Sequence, residues 1–286
     1  MTTVKVLFHS YGNGKHCPDG FAAAYSAWKK LGDEAQYIPC EYQKPAPEIN
    51  EGDRVYLVDF SYPRDALLEM SKIAEIKVLD HHKTAKEALL GLDFALFDMN
   101  KSGAQLAWEF WHDSPVPDLI NYVGDRDLWT KQLPHTEEVH RALQTFPQDF
   151  VVWDTLVSLP NYVDFMRRIG EPIYQSHIKA VEELVESADW KELEGYKILC
   201  TNTSNYSLVS DALNLICKRT PETPFAANYR PDKEGRIKFE LRSVGDFDVS
   251  AIASSLGGGG HKNAAGCAVD PTDARIKPFA GNLHPS

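Results

Sequence analysis

The stretch at residues 76–82 constrains this chain most, because it puts an acid and two adjacent histidines directly after an apolar run. The apolar residues, Ile76 to Leu79, predict a short buried strand. Burying Asp80, His81 and His82 at its end costs free energy unless each group has a partner. A metal ion, or a phosphate held by one, would be such a partner. A turn with two solvated histidines is the alternative.

The order of the apolar runs predicts an α/β fold. Strand and helix signals alternate up to about residue 130, as in a doubly wound, mainly parallel sheet. Such a sheet binds ligands just beyond the carboxyl ends of its strands. Acids and histidines that end apolar runs, or lie in loops beside them, are His9, Asp19, Asp59, Asp80, His81 and Asp125.

The same pattern predicts how the chain divides into domains. The alternation gives way to a mostly helical stretch after about residue 130 and returns near residue 193. We therefore expect a first domain at 1–135, a helical connector at 136–192 and a second, smaller α/β domain at 193–286. Within the first domain, Ser102 predicts the start of a helix from Gly103 to Trp111.

The composition indicates which binding partners and which cellular compartment to expect. The formal net charge of −11 disfavours a grip on long duplex nucleic acid, but it is compatible with a short phosphorylated substrate held through metal ions. The sequence has no apolar stretch long enough to span a membrane and no secretory N-terminal pattern. Its five cysteines form no C-x-x-C pair. We expect a cytoplasmic protein with reduced thiols, no membrane partner and a possible homodimeric state.

The acids and histidines of the first domain predict metal-dependent phosphate chemistry. Carboxylates with imidazoles suit manganese best, with zinc, cobalt, iron and magnesium as alternatives. Several acids in one cleft raise each other's pKa unless cations neutralise them. Two ions in such a cleft can clamp a phosphate and activate water. Hydrolysis of a phosphoester or a phosphoanhydride fits this equipment.

A run of four glycines at 257–260 is a second candidate site. Glycines let a backbone approach a ligand closely, and their successive N–H groups can bind an anion. His261 and Lys262 would add side-chain donors. The alternative is a flexible surface loop. The small apolar residues from Ala264 to Val269 favour a loop that packs inside a fold.

These motifs together resemble the DHH phosphoesterase superfamily. They are Asp80-His81-His82 after a strand, Asp59 after Val58, the segment 124–127 and the glycine-rich stretch 257–266. The glycine run is similar to that of the subgroup with a DHH-associated second domain. That subgroup includes oligoribonucleases acting on nanoRNA, single-strand exonucleases and pAp phosphatases. The resemblance covers almost the whole chain.

The resemblance implies two manganese ions and a role for each motif residue. The implied ligands are His9, Asp19, Asp59, His81 and Asp125, with Asp59 as the bridge between the ions. Asp80 would orient His81, and His82 would contact the scissile phosphate. In the second domain, the residues implied to hold the far end of the substrate are Arg242, Gly258, Gly259, Gly260 and His261.

The first motif departs from the family pattern, which has a histidine followed by Asp-x-Asp. Cys17 stands where the first of these acids would be, so Asp19 is left alone. His16 competes with His9 for the histidine position. Asp127 is predicted to be a structural partner of Arg126 rather than a ligand.

The resemblance implies that the chain hydrolyses short oligonucleotides or dinucleotides to mononucleotides through a metal-activated water. An exopolyphosphatase or a pAp-type phosphatase is the enzymatic alternative. A catalytically weak nucleotide-binding regulatory protein is the alternative from another class, because one acid of the first motif is missing.

Overall fold

Two units make up the chain in the computed structural model, which describes residues 3–12 and 14–280. The first unit is Met1–Tyr174 and the second is Gln175–Ser286. Each contains a β-sheet with helices, so the expected α/β class is confirmed. Within the described ranges, no helix combines the length and the apolarity needed to cross a membrane.

The first unit is built on a parallel sheet in the order β3–β1–β4–β5–β6, with β2 forming an antiparallel hairpin on β1. Apolar runs form these strands, and Leu7, Leu57 and Val78 on the central three are fully buried. The strands are β1 Val4–Gly12, β2 Lys15–His16, β3 Gln36–Cys40, β4 Arg54–Val58, β5 Glu75–Asp80 and β6 Ala95–Phe97.

Eight helices belong wholly or partly to the described first unit. The alanine-rich helix α1 packs closely against α4, which Ser102 caps with a reciprocal bond to Gln105, as the sequence predicts. The helices are α1 Pro18–Leu31, α2 Arg64–Met70, α3 Lys83–Ala88, α4 Gly103–Trp111, α5 Asp118–Asp127, α6 Thr136–Leu143, α7 Phe150–Val157 and α8 Tyr162–Glu186.

The expected connector at 136–192 is not a separate region. Helices α6 and α7 and the first half of α8 bury Val139, Trp153 and Met166 in the same core as α1. The boundary between the units falls inside α8, after Tyr174. Tertiary packing of these amphipathic helices onto the first sheet explains why the helical stretch does not stand alone.

The second unit contains a mixed sheet in the order β11–β12–β10–β9–β8–β7, in which only the β8–β9 pair is parallel among the described strands. Its apolar core is separate from that of the first unit. The elements are β7 Asp189–Leu193, β8 Tyr196–Thr201, α9 Tyr206–Arg219, β9 Ala226–Pro231, β10 Ile237–Arg242, α10 Val249–Ser255, β11 Gly259–His261, β12 Ala264–Val269 and α11 Lys277–Ala280.

One close helix contact in the first unit gives a test of the packing. A Cβ added at Gly170 of α8 would lie 1.7 Å from the carbonyl oxygen of Glu138 on α6. We expect Gly170→Ala to lower the free energy of unfolding by about 1–3 kcal/mol or more, because the backbone must move apart. Ser176→Ala, exposed on the same helix, should change it by less than about 0.5 kcal/mol. Urea unfolding followed by circular dichroism measures both. Equal midpoints would contradict this packing.

Candidate metal centre

The candidate centre lies at the carboxyl edge of the first sheet. Strands β1, β4 and β5 are adjacent and parallel, so their last residues meet at this edge. His9 lies near the end of β1, Asp59 follows β4, and Asp80 ends β5 with the two histidines behind it. The prediction that these strand ends come together is confirmed by the distances below.

Asp59 is the central group of the centre. Its Oδ1 lies 3.1 Å from His81 Nε2, and its Oδ2 lies 3.5 Å from His9 Nδ1. The residue is 1% exposed, and Oδ2 has no hydrogen-bond partner in the described part of the chain. Burial raises the pKa of Asp59, but the nearby imidazoles of His81 and His9 outweigh burial and hold the pKa well below the usual range. Asp59 therefore stays ionised with lone pairs directed into the cluster.

Asp19 is held by the first turn of another helix. Its carboxylate accepts from the backbone N–H groups of Gly103 at 2.6 Å and Ala104 at 3.1 Å, at the positive end of α4. A Cβ at Gly103 would lie 2.4 Å from Asp59 Cβ and 3.0 Å from Asp19 Oδ2, so only glycine fits there. Burial, and then the charges of Asp59 and Asp127, raise the pKa of Asp19. This crowding of carboxylates is relieved when a cation binds.

Asp80 orients His82 rather than the ring of His81. Its Oδ1 accepts from His82 Nδ1 at 2.7 Å and from the backbone N–H of His81 at 2.7 Å. The expectation that Asp80 positions the His81 ring is therefore wrong, because that ring contacts Asp59 through Nε2. Burial lowers the pKa of His82, but the charge of Asp80 outweighs burial, so the pKa of His82 is raised overall.

Asp125 does not lie in the centre, and Asp127 does. Both residues are in the last turn of α5, not in a loop. Each Asp125 oxygen accepts from a hydroxyl and a backbone N–H, which leaves no lone pair for an ion. The donors are Thr130 Oγ1, Thr136 Oγ1 and the N–H groups of Gln132 and Leu133. Asp127 Oδ2 instead lies 3.5 Å from His81 Nε2. The expectation that Asp125 is a ligand is therefore wrong, and Asp127 is the acid of this pair that lies beside His81.

Helix phase explains why the sequence alone did not separate these two acids. Residues two apart on a helix point about 200° apart, so only one of the pair can face the sheet edge. Choosing between them requires knowing that both acids lie in a helix, whereas the sequence pattern indicated a loop around Asp125. Thr130 and Thr136 could have indicated a structural role for Asp125, because hydroxyls nearby in sequence can donate to a buried carboxylate.

The first motif resolves in favour of His9. The ring of His16 bonds Ser10 Oγ at 3.1 Å and stacks on Phe21 with an interplanar angle of 8°, away from the acids. Cys17, immediately before α1, is 5% exposed and lies with His9 and Asp59. Burial is the main cause that raises the pKa of its thiol, followed by the charges of Asp59 and Asp127.

Three donor groups in this cluster contain Asp59 and could hold a metal ion. In the group of Asp59, Asp80 and His82, Asp80 already bonds the histidine; the other two groups also share Asp59. One consists of Asp19, Asp59 and His81, and the other of His9, Cys17 and Asp59, each with ligand atoms within 4.8 Å of one another. The unbonded Oδ2 of Asp59 and the crowded carboxylates are what a cation would satisfy. The predicted bridging position of Asp59 is consistent with this sharing.

In the second unit, the glycine run forms a strand rather than an anion-binding loop. Gly259 to His261 pair with β12 as the strand β11. The N–H of Gly258 donates to Ala253 O at 2.8 Å, and a Cβ there would lie 2.1 Å from Gly266 O. Gly258 is thus a packing residue and is not available as the backbone donor that we expected.

Arg242 lies at the end of β10 with its side chain anchored. Its Nη2 donates to Ser210 Oγ and its Nη1 to the carbonyl of Leu241, both at 2.8 Å. The sequence interpretation missed Tyr206, the first residue of α9, which is 51% exposed. Arg230 and Lys238 lie over its ring, at 4.2 Å and 5.2 Å from the centroid. An isolated tyrosine in a helix carries no signal of such a cation cluster.

Comparison with known proteins identifies a domain in the second unit. The DHHA1 domain family matches residues 202–276. "Uncharacterized protein R106" of Acanthamoeba polyphaga mimivirus is 31% identical over 292 residues, covering 92% of this chain and 66% of the relative. The chain thus spans slightly less than two thirds of that relative.

Solved structures with similar folds include exonuclease RecJ bound to manganese, at 16% identity and a TM-score of 0.48, covering 99% of this chain and 91% of RecJ. The pGpG-specific phosphodiesterase PggH of Vibrio cholerae has 15% identity and a TM-score of 0.46, covering 97% of each chain. The DHHA1 match lies in the second unit. In the first unit, the Asp-His-His motif contacts Asp59 at the sheet edge. The chain therefore contains a DHHA1 domain, as its resemblance to the subgroup with a DHH-associated second domain implies.

Proposed function

We propose that the chain is a metal-dependent phosphodiesterase that hydrolyses short oligonucleotides or dinucleotides. The observation that carries the proposal is the sharing of Asp59 by two donor groups at one sheet edge. Divalent ions bound there, with manganese expected first, would supply charge neutralisation for a phosphate and acidify a bound water. The acids and histidines around Asp59 would hold the ions, and His82 would act on the substrate.

The Asp80–His82 pair is suited to proton transfer. Asp80 holds His82 Nδ1, which leaves the ring's Nε2 as the atom that can exchange a proton with a substrate. The charge of Asp80 outweighs burial and raises the pKa of His82, which favours the protonated ring. In our proposal the protonated ring binds the scissile phosphate and gives its proton to the departing oxygen. Asp80 is the positioning residue.

The second unit offers groups for a nucleotide. Arg230, Lys238 and Arg242 lie on one face of β9 and β10, because Lys238 is the register partner of Arg230 and Arg242 is four residues further along β10. Tyr206 adds a half-exposed aromatic ring beside Arg230 and Lys238. Cations that contact phosphates next to a ring that stacks on bases are typical of single-strand binding. This combination favours a nucleotide substrate over polyphosphate, which has no base to stack.

Turnover of a substrate panel tests the proposal. With manganese, a 5′-phosphorylated dinucleotide should give mononucleotides faster than pAp or polyphosphate is hydrolysed, and excess chelator should stop the reaction. Asp59→Asn should lower turnover by at least about a hundredfold, because the shared ligand is lost. If phosphate is released faster from pAp or polyphosphate, the pAp-type phosphatase or the exopolyphosphatase is the correct function. Tight nucleotide binding without any hydrolysis would instead indicate a regulatory protein.

The different positions of Asp125 and Asp127 give a matched pair of variants. Asp127→Asn should weaken manganese binding by at least about tenfold, with little change in stability. Asp125→Asn should lower the free energy of unfolding by about 1–3 kcal/mol for each buried donor left without an acceptor. Calorimetric titration and urea unfolding separate the two effects. A stability loss confined to Asp127→Asn would contradict the assignment.

The pH dependence of turnover reports on Asp80. The negative charge of Asp80 raises the pKa of His82, so removing that charge in Asp80→Asn lowers the pKa. The proton needed by the departing oxygen is then lost at a lower pH. The descending limb of the kcat profile should therefore move to lower pH, while bound manganese stays unchanged. An unmoved limb in a folded variant would show that His82 is not the proton donor.

A further inference from the structure

The two donor groups that share Asp59 differ in chemistry. Asp19 and His81 complete one group with oxygen and nitrogen. His9 and Cys17 complete the other, which adds a sulfur atom. Asp59 is 1% exposed, and its Oδ2, the oxygen nearer His9, has no hydrogen-bond partner among the residues that the structure describes. A buried acceptor directed at a histidine and a cysteine indicates a ligand between them.

The position of Cys17 keeps its sulfur within reach. The residue is only 5% exposed and directly precedes Pro18, the first residue of α1. Its carbonyl accepts the N–H of Phe21, so the backbone around the sulfur is fixed by the first turn. The sulfur is therefore held beside His9 and Asp59 by the helix start and not by a mobile loop.

The donor atoms of the two groups select different ions. Thiolate with imidazole and carboxylate is a ligand set that zinc takes, and cobalt is its spectroscopic substitute. Manganese and magnesium prefer carboxylates and bind thiolates poorly. A cysteine in one group thus separates two positions that would otherwise compete for the same ion.

We propose that the centre is heteronuclear: the His9–Cys17–Asp59 group takes a thiophilic ion such as zinc, and the Asp19–Asp59–His81 group takes manganese or magnesium. This inference rests on the metal-dependent hydrolysis proposed above and specifies which ion each group selects. A cysteine that only packs as a small apolar side chain is the competing explanation.

Cobalt absorption tests whether sulfur is a ligand. Apoprotein titrated with cobalt should develop a near-ultraviolet sulfur-to-cobalt charge-transfer band that saturates at one ion per chain. Cys17→Ala should abolish the band, while Cys200→Ala, buried in β8 of the second unit, should retain it. If the wild-type protein binds cobalt without this band, or if Cys17→Ala keeps it, the proposal is wrong. The wild-type spectrum decides even if the variant does not fold.

Metal exchange tests the selectivity. Protein loaded with two manganese ions should release one of them to zinc and keep the other, as measured by the paramagnetic resonance of free manganese. Cys17→Asp replaces the sulfur by oxygen and should reduce the zinc-over-manganese preference of that position by at least about tenfold. An unchanged preference in Cys17→Asp would overturn the proposal.

The same titrations keep the two proposals apart. If the wild-type protein binds no manganese, the proposed metal-dependent hydrolysis fails first. If it binds two manganese ions that zinc displaces together or not at all, only the heteronuclear centre fails and the hydrolysis remains. Retention of one manganese ion beside one zinc ion would support both.

Discussion

The buried carboxylate of Asp59 is the group on which the rest of the first unit depends. Its backbone has a φ of 52°, in the left-handed region that costs a non-glycine residue about 1–3 kcal/mol. This strain turns the chain at the end of β4 so that both oxygens face histidines on β1 and after β5. The sheet order, the histidine positions and the close approach of α4 all hold the Asp59 carboxylate at a buried position, where water does not solvate its charge.

Sequence periodicity predicted the features that depend on local chemistry. The apolar runs located β1, β4 and β5, and Ser102 located the start of α4. Features that depend on packing were not accessible. The phase of α5 decides which of two acids faces the cluster, and the burial of α6 and α7 against α1 removes the expected connector. Part of the glycine run forms a strand, because glycines allow close backbone contact with β12. Amino-acid composition alone does not predict such a contact.

In the proposed heteronuclear centre, Cys17 would be a softer donor than a carboxylate without changing the ionised charge. A thiolate and a carboxylate each carry one negative charge, so the balance with cations is preserved when the side chain is ionised. The difference lies in polarisability and in the proton that the thiol must release on metal binding.

The hydrogen atom that serves as the side chain of Gly103 has a consequence for ion size. Gly103 lies between Asp19 and Asp59 and leaves no room for a methyl group. The spacing of these carboxylates is therefore limited by the backbone of α4 and not by the ligands themselves. To move Asp19 and Asp59 apart for an ion of greater radius, such as calcium, one would also have to displace α4. Replacing the ligand side chains alone would change the type of donor atom and leave the spacing set by α4 unchanged.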